Sequence, residues 1–377
     1  TADTCGLATT HTGNSAAGSP TWSITSTAGD SDGDTSAVAA DALTYTSNEA
    51  TANFAVGDIT GSSCTVGGFG TTSTTVYTST CTAADGASAH VAVAAGTFTD
   101  TAGNSNSVSN QFDWTYDGTG PTMTITSNTI ASGGTTATAE VVLIYTSNEA
   151  TTNFALADIT ETGCTGDTFT TTSTTVYGST CTVSADGAHS VSVAASTFTD
   201  ATGNANSVSN TYSWTQDDTG PTMTITSNTV ASGATTGTAD VVLILTSNEA
   251  TTDFVIGDVT ATGGDGCTKS ALTASSSTVY GVTCTAGTSG HAPQVSVAGS
   301  TFNDALGNDN SVSNTYTWTY DGTGPPMTIT SNTVANGANP ATAAVLPIYP
   351  RNEAPTNLAL RTITATSGTL TPFTTIP

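Results

Sequence analysis

Residues 140–150 read Glu140-Val-Val-Leu-Ile-Tyr145-Thr-Ser-Asn-Glu149-Ala150. A run of β-branched and aromatic residues favours an extended strand, and the Ser-Asn-Glu-Ala that follows supplies turn formers that end it. Its last five residues, Thr-Ser-Asn-Glu-Ala, also stand at 46–50 and 246–250, and a damaged Asn-Glu-Ala remains at 352–354. Other phrases keep step with it. Gly-Pro-Thr-Met at 120–123 returns at 220–223 and as Gly-Pro-Pro-Met at 324–327, and Thr-Phe-Thr-Asp at 97–100 and 197–200 becomes Thr-Phe-Asn-Asp at 301–304. Trp114, Trp214 and Trp318 hold the same phase, so the period is 100 residues and then 104. The chain is read as an N-terminal segment 1–18, repeats 19–118, 119–218 and 219–322, and a partial fourth repeat 323–377.

A unit of this length is larger than a usual solenoid repeat and matches one autonomous sandwich domain. Within repeat two, strands are expected at 123–126, 140–145, 154–160, somewhere in 163–172, 175–183, 190–193 and 208–214. In the last of these Val208, Tyr212 and Trp214 share one face at period two. Asp186-Gly187 is a tight-turn signal before the sixth strand. Seven short strands per unit predict an all-β chain of tandem Ig-like seven-stranded sandwiches set end to end.

Composition narrows the function. The 377 residues include 88 Thr and 41 Ser, and 3 Lys plus Arg stand against 29 Asp plus Glu for a formal charge of −26. With no basic surface to neutralise phosphates, nucleic-acid binding is not expected. No stretch approaches the apolar length of a membrane-spanning helix. The cysteines fall at Cys64/Cys81, Cys164/Cys181 and Cys267/Cys284, one pair per repeat with a constant spacing of 17. That is a disulfide framework and implies an oxidising compartment; no Cys-x-x-Cys or adjacent His favours metal ligation instead. Closing such a loop contributes roughly 3 kcal/mol by restricting the unfolded chain. Cys5 has no mate in its own segment and is expected to be an interchain cross-link or the remnant of a pair. The start at Thr1, without Met or an apolar leader, fits a processed secreted protein.

The ordered set Glu149, Phe154, Asp158, Ile159, Asp186, Gly187, Asp200, Gly203, Asn204, Asp217 and Pro221, with counterparts in repeats one and three, resembles the bacterial Ig-like modules of large surface adhesins and extracellular fibres. The resemblance covers 19–322 well and 323–364 in part. It implies a scaffold or adhesive stalk and names no ligand.

No nucleophile elbow, phosphate loop or His-rich metal motif is present, and no enzyme activity is expected. Of the four His, His90, His189 and His291 fall at the start of the sixth strand and read as exposed strand-edge residues. The carboxylates carry more. The first strand leaves the end at which the chain comes in and the second returns to it. The loop after the second strand, the loop before the seventh and the incoming linker therefore share that end. In repeat two this gathers Asp117, Glu149, Asp158, Asp200 and Asn204; in repeat three it gathers Asp217, Glu249, Asp258, Asp304 and Asn308. Close carboxylates without a cation suit Ca²⁺, which takes several oxygen ligands in tolerant geometry; the alternative is a set of turn formers and solvated charges. Repeat one lacks the incoming Asp, so its set of Glu49, Asp100 and Asn104 is expected to be weaker. Asp30-Ser-Asp32-Gly-Asp34 matches a calcium loop poorly, since Gly is not sixth, and reads as an acidic turn.

No Asn-x-Ser/Thr acceptor occurs, and nothing in the sequence separates an O-glycosylated Thr from a strand-forming one. Lys269 is the one Lys, which rules out a repeated Lys–Asn cross-link. Eight of the twelve Pro lie at or after 325, with Arg351 and Arg361 nearby, and Pro347 falls where a central strand is expected. The inner face of Met327, Ile329, Ile348 and Leu358 then lacks an opposing sheet, so copies are expected to meet head to tail. The expected function is a structural subunit of an extracellular fibre or adhesin stalk. The alternatives are an adhesin recognising a glycan or host receptor through its loops, and a non-catalytic appendage of a secreted hydrolase. Peptide mapping of unreduced protein should recover Cys164 and Cys181 in one linked pair; free thiols there would refute the framework.

Overall fold

Alternation sets the strands. In a computed structural model, which describes residues 18–331, 333–338 and 347–348, Val141, Leu143 and Tyr145 point inward and are fully buried while Val142 between them is exposed. Repeat one contains β1 (Trp22–Ser26), β2 (Asp34–Ser36), β3 (Ala40–Ser47), β4 (Ile59–Ser62), β5 (Cys64–Thr71), β6 (Val76–Ala83), β7 (Ser88–Val93) and β8 (Phe112–Tyr116). Repeat two contains β9 (Met123–Ser127), β10 (Thr135–Thr136), β11 (Glu140–Ser147), β12 (Ile159–Thr162), β13 (Cys164–Thr171), β14 (Val176–Val183), β15 (Gly187–Val193) and β16 (Tyr212–Gln216). The sheets of repeat two are ordered β9-β11-β14-β13 and β10-β16-β15-β12, and repeat one follows the same plan as β1-β3-β6-β5 and β2-β8-β7-β4. In these two repeats all pairs are antiparallel except β2 with β8 and β10 with β16, and the third repeat has the matching parallel pair of Thr235–Thr236 with Thr319–Tyr320. This is the Ig-like arrangement of two facing sheets, all-β as expected. By contact density the chain forms two units, Thr1–Asp218 and Thr219–Pro377, and the second repeats the pattern within Met223–Tyr320.

The core of repeat two is aromatic. Phe154 lies 5.0 Å from both Tyr177 and Phe198, and 5.7 Å from Tyr145. Each such ring removed from water contributes roughly 1.5–3 kcal/mol. The hydroxyls are satisfied inside: Tyr145 shares a 3.0 Å bond with Ser179, and Tyr177 a 2.6 Å bond with Thr151. Burial raises the Tyr145 hydroxyl to about 12, with the Ser179 bond opposing and the Glu161 charge adding to the rise. Three disulfides, Cys64–Cys81, Cys164–Cys181 and Cys267–Cys284, join neighbouring strands of one sheet, with Cα separations of 5.6, 5.7 and 5.5 Å.

Several expectations are corrected. The short strand expected in 154–160 begins only at Ile159, as β12, because Leu156–Asp158 makes a 3-10 turn. Val208 is 67% exposed and outside any strand, because the last strand begins only at Tyr212. Ser209 explains the shift: its hydroxyl, not a backbone carbonyl, accepts the Val193 N–H at 2.8 Å. The short parallel strand β10 went unread. Met327 and Ile329 are exposed, and Thr330–Ser331 pairs with Pro347–Ile348 in spite of the proline. Cys5, Arg351, Leu358 and Arg361 lie outside the described residues.

Where repeats two and three bury Val141 and Val241, repeat one buries Asp41. Its Oδ1 accepts the Ser26 hydroxyl at 2.6 Å and its Oδ2 has no partner. Burial pushes this carboxyl above its usual range; the Ser26 bond opposes. A raised carboxyl favours the protonated fold, so stability is lost as pH rises from the ordinary carboxylate range through the raised value. Asp41→Val is therefore expected to raise the melting temperature of repeat one at pH 7, by on the order of 5 °C. The gain should shrink in acid; calorimetry at pH 7 and pH 3.5 checks both.

Candidate functional site

The incoming end of repeat two is assembled by side-chain amides. After β11, Asn148 donates its N–H to the Thr122 carbonyl at 3.2 Å and accepts the Thr122 N–H on Oδ1 at 2.6 Å. This fixes the loop that carries Glu149. Between β15 and β16, Asn206 accepts the Thr197 and Phe198 N–H groups on Oδ1 at 2.8 and 3.0 Å, and donates to the Ala194 and Ser207 carbonyls at 2.8 Å each. Phe198 is thereby seated in the core, and Asp200 follows two residues later.

Asp200 is 4% exposed. It accepts the Thr202 and Asn204 N–H groups at 2.9 Å each, and the Asn204 amide at 2.9 Å. Burial alone would raise its carboxyl, but these bonds outweigh burial and hold it below the usual range. The Asn204 amide also donates to the Asp117 carbonyl at 2.8 Å, tying the incoming linker to repeat two. Asp117, Glu149 and Asp200 consequently each offer a carboxylate oxygen within 4.8 Å of the others. Glu149 is the uncompensated member: its Oε1 is buried without a partner, and burial together with the Asp117 and Asp200 charges raises its carboxyl. An all-oxygen set of this kind suits a hard cation.

The other expected ligands are placed differently. Asn204 turns its nitrogen towards Asp200, so its part is to hold. Asp158 stands apart from the group of three; its Oδ2 accepts the Ala155 N–H at 2.8 Å and closes its own turn. Asp258 does the same with Val255 at 2.8 Å. In repeat three Glu249 and Asp304 come within 4.8 Å. Asp304 accepts from the Leu306 N–H at 2.8 Å and from the Asn308 N–H and amide at 2.9 Å each. Asp217 donates its N–H to the Thr136 carbonyl at 3.0 Å. In repeat one Asp100 accepts three bonds of 2.8 Å from Ala102 and Asn104, and among the described residues no group of three forms around Glu49. Asp32 and Asp34 point apart, Asp32 accepting the Asp113 N–H and Asp34 the Ser31 N–H, each at 2.7 Å. Of the histidines, His90 is half-buried and His291 lies 3.2 Å from Asp265. His189 is not an exposed edge residue: it is 6% exposed, in the core, 5.7 Å from Trp214.

Sequence reasoning missed Asp85. Its carboxylate accepts the Gly118 N–H at 2.7 Å and the Thr119 hydroxyl, and these two bonds hold it below the usual range. Repeat one thus grips its outgoing linker while Asn204 of repeat two grips the same linker from the far side. Gly120 fits between them because a Cβ there would overlap the Ala205 carbonyl. Asp85-Gly86 went unread, and its counterpart Asp186-Gly187 was read only as a turn; the shared Asp-Gly before the linkers at 117 and 217 was the available signal, which repeat three replaces with Ser289-Gly290. Asp186 accepts the Asp218 N–H at 2.8 Å, and Ser289 the Gly322 N–H at 2.9 Å.

Residues 16–116 and 117–215 each match the profile described as "Bacterial Ig-like domain". No curated protein sequence matches the chain. Among solved structures, invasin, titled a bacterial integrin-binding protein, is similar at 13% identity and a TM-score of 0.34, over 83% of this chain and 62% of that one. InvD of Yersinia pseudotuberculosis is similar at 15% identity and a TM-score of 0.30, over 77% of this chain and 71% of that one. Asp85→Ala is expected to leave both sandwiches folded and to speed amide exchange at Gly118 and Thr119 by about tenfold; unchanged exchange there would show that the grip is immaterial.

Proposed function

Because the chain belongs to the bacterial Ig-like domain family, we propose that it is a non-enzymatic structural segment of an extracellular fibre or adhesin stalk. The observation that carries this reading is the doubly gripped linker. Asp85 on one side and Asn204 on the other hold residues 117–119 by short hydrogen bonds, which is what a spacer needs and a freely jointed receptor does not. The disulfide in each of the three repeats supports an oxidising, extracellular setting. Self-association of copies end to end belongs to the same reading.

Calcium is part of the proposal. Two like charges about 4 Å apart repel by roughly 4 kcal/mol near a protein surface. The described residues of Thr1–Asp218 contain no Lys or Arg to relieve the group. Asp117, Glu149 and Asp200 would hold the ion, which would supply the missing positive charge and draw the linker to repeat two. Removing calcium with a chelator should lower the melting temperature and increase the radius of gyration of the full chain, and Glu149→Gln should abolish both responses. Identical melting and scattering with and without chelator would remove calcium from the reading. Negative-stain images of native material showing dispersed, compact particles would remove the stalk itself.

A further inference from the structure

At one end of repeat two a set of substitutions relative to repeat one fits only as a set. In the sheet β12-β15-β16, Glu161 pairs with Val191 and His189 with Trp214, and Gln216 ends β16. The same registers in repeat one hold Gly61 against Val91, Ala89 against Trp114, and Tyr116. Room has been made for each change. A Cβ at Gly163 would overlap the His189 ring, and repeat one has Ser63 there. A Cβ at Gly166 would overlap the Glu161 carboxylate, and repeat one has Val66 there, whose Cγ2 would lie 2.7 Å from a Cβ at Gly61. A Cβ at Gly118 would overlap the Tyr116 hydroxyl, whereas repeat two has Asp218 beyond the shorter Gln216.

The exchange replaces apolar packing with polar atoms that find few partners. His189 and Gln216 are 6% and 2% exposed. Glu161 Oε2 accepts the Gly166 N–H at 2.7 Å, and the Gln216 amide donates to the Ala137 carbonyl at 3.1 Å. Glu161 Oε1, Gln216 Oε1 and both ring nitrogens of His189 are buried without any hydrogen bond. A buried polar atom that has lost its water and gained no partner weakens the fold. Repeat one has unpartnered buried atoms too, in Trp22, Asp30, Asp41 and Glu49, but apart from the Trp114 Nε1 that recurs as Trp214 and Trp318 none lies in β4, β7 or β8, the counterparts of these strands. Repeat three fills the same end with Ala261, Pro293 and Tyr320, and uses Lys269 to cap the Ile256 carbonyl at 3.1 Å.

We propose that this end of repeat two is the yield point of the array: β12, β15 and β16 part before their counterparts in repeats one and three. The Cys164–Cys181 bridge lies in the other sheet, between β13 and β14, so it does not tie the strands that open. Opening is then partial, because the bridged sheet remains linked. In a stalk this would let one unit lengthen under load while its neighbours stay folded; that consequence rests on the stalk reading, and the order of opening does not.

Hydrogen exchange of the full chain read by peptide mass, with chelator present throughout, tests the order of opening independently of calcium. Amides of β15 and β16 are expected to exchange at least about tenfold faster than those of β7 and β8, and than those of Gln294–Val297 and Tyr316–Tyr320. Earlier opening of repeat one or three overturns the proposal. A sixfold variant returning repeat two to repeat-one residues (Glu161→Gly, Gly163→Ser, Gly166→Val, His189→Ala, Gln216→Tyr, Asp218→Gly) should abolish the difference. If it folds and the difference persists, the proposal falls. Should it fail to fold, the reverse set in repeat one (Gly61→Glu, Ser63→Gly, Val66→Gly, Ala89→His, Tyr116→Gln, Gly118→Asp) decides. It must move the fastest exchange to β7 and β8, and no movement overturns the assignment.

Discussion

The buried carboxamide of Asn206 is the interaction on which most of repeat two depends. Eighteen residues, 194–211, separate β15 from β16, and a segment that long would leave backbone groups orphaned against the core. Asn206 removes the problem with four bonds from a side chain that is 2% exposed. A typical bond contributes about 1 kcal/mol net, but losing this carboxamide would also leave the buried Phe198 N–H without its partner. Two things follow from its position. Phe198 is held where it can pack on Phe154, and Asp200 arrives beside Glu149. Asn210 then acts as a strand in miniature, accepting the Ile125 N–H at 2.7 Å and donating to the Ile125 carbonyl at 3.0 Å. It covers the open edge of β9 and blunts its capacity to pair with another chain. Asn106 with Asn110, and Asn310 with Asn314, repeat both devices.

What could be read from the sequence was whatever depends on local alternation or on the period. The run 140–145 is a strand because its side chains alternate, and the three cysteine pairs announced themselves by constant spacing. What escaped depends on partners far along the chain. Asn206 reads as a turn former, and only its distance from Ala194 and Phe198 in space reveals a structural clamp. His189 shows how small the hidden difference can be. In repeat one the imidazole directly precedes Val91, whereas in repeat two Ser190 stands between His189 and Val191. One residue reverses the face, so His90 is half-buried on the outer side and His189 lies in the core. At the junction Asp117, Glu149 and Asp200 were legible because loop order alone brings them together. Asp158 was misplaced because its sequence position cannot show that it spends its carboxylate on its own turn.

A chain with almost no cations must neutralise its carboxylates by other means. Among the described residues the solution is local: Asp85, Asp100, Asp200 and Asp304 each accept backbone N–H groups, and each is held below the usual carboxylate range. Backbone donors point inward at turns, so a single Asp in a turn stabilises the loop that holds it. This solution is limited by the supply of donors. At the linker between repeats one and two, Asp200 takes the Thr202 and Asn204 N–H groups and the Asn204 amide, leaving none of these for Glu149. Burial and the Asp117 and Asp200 charges therefore raise the Glu149 carboxyl with none of these donors to offset them. The same bonds that order the loop gather three carboxylates at the linker between repeats one and two. A joint built this way is held by hydrogen bonds and crowded with like charge, and the described residues of Thr1–Asp218 have no Lys or Arg to set against it.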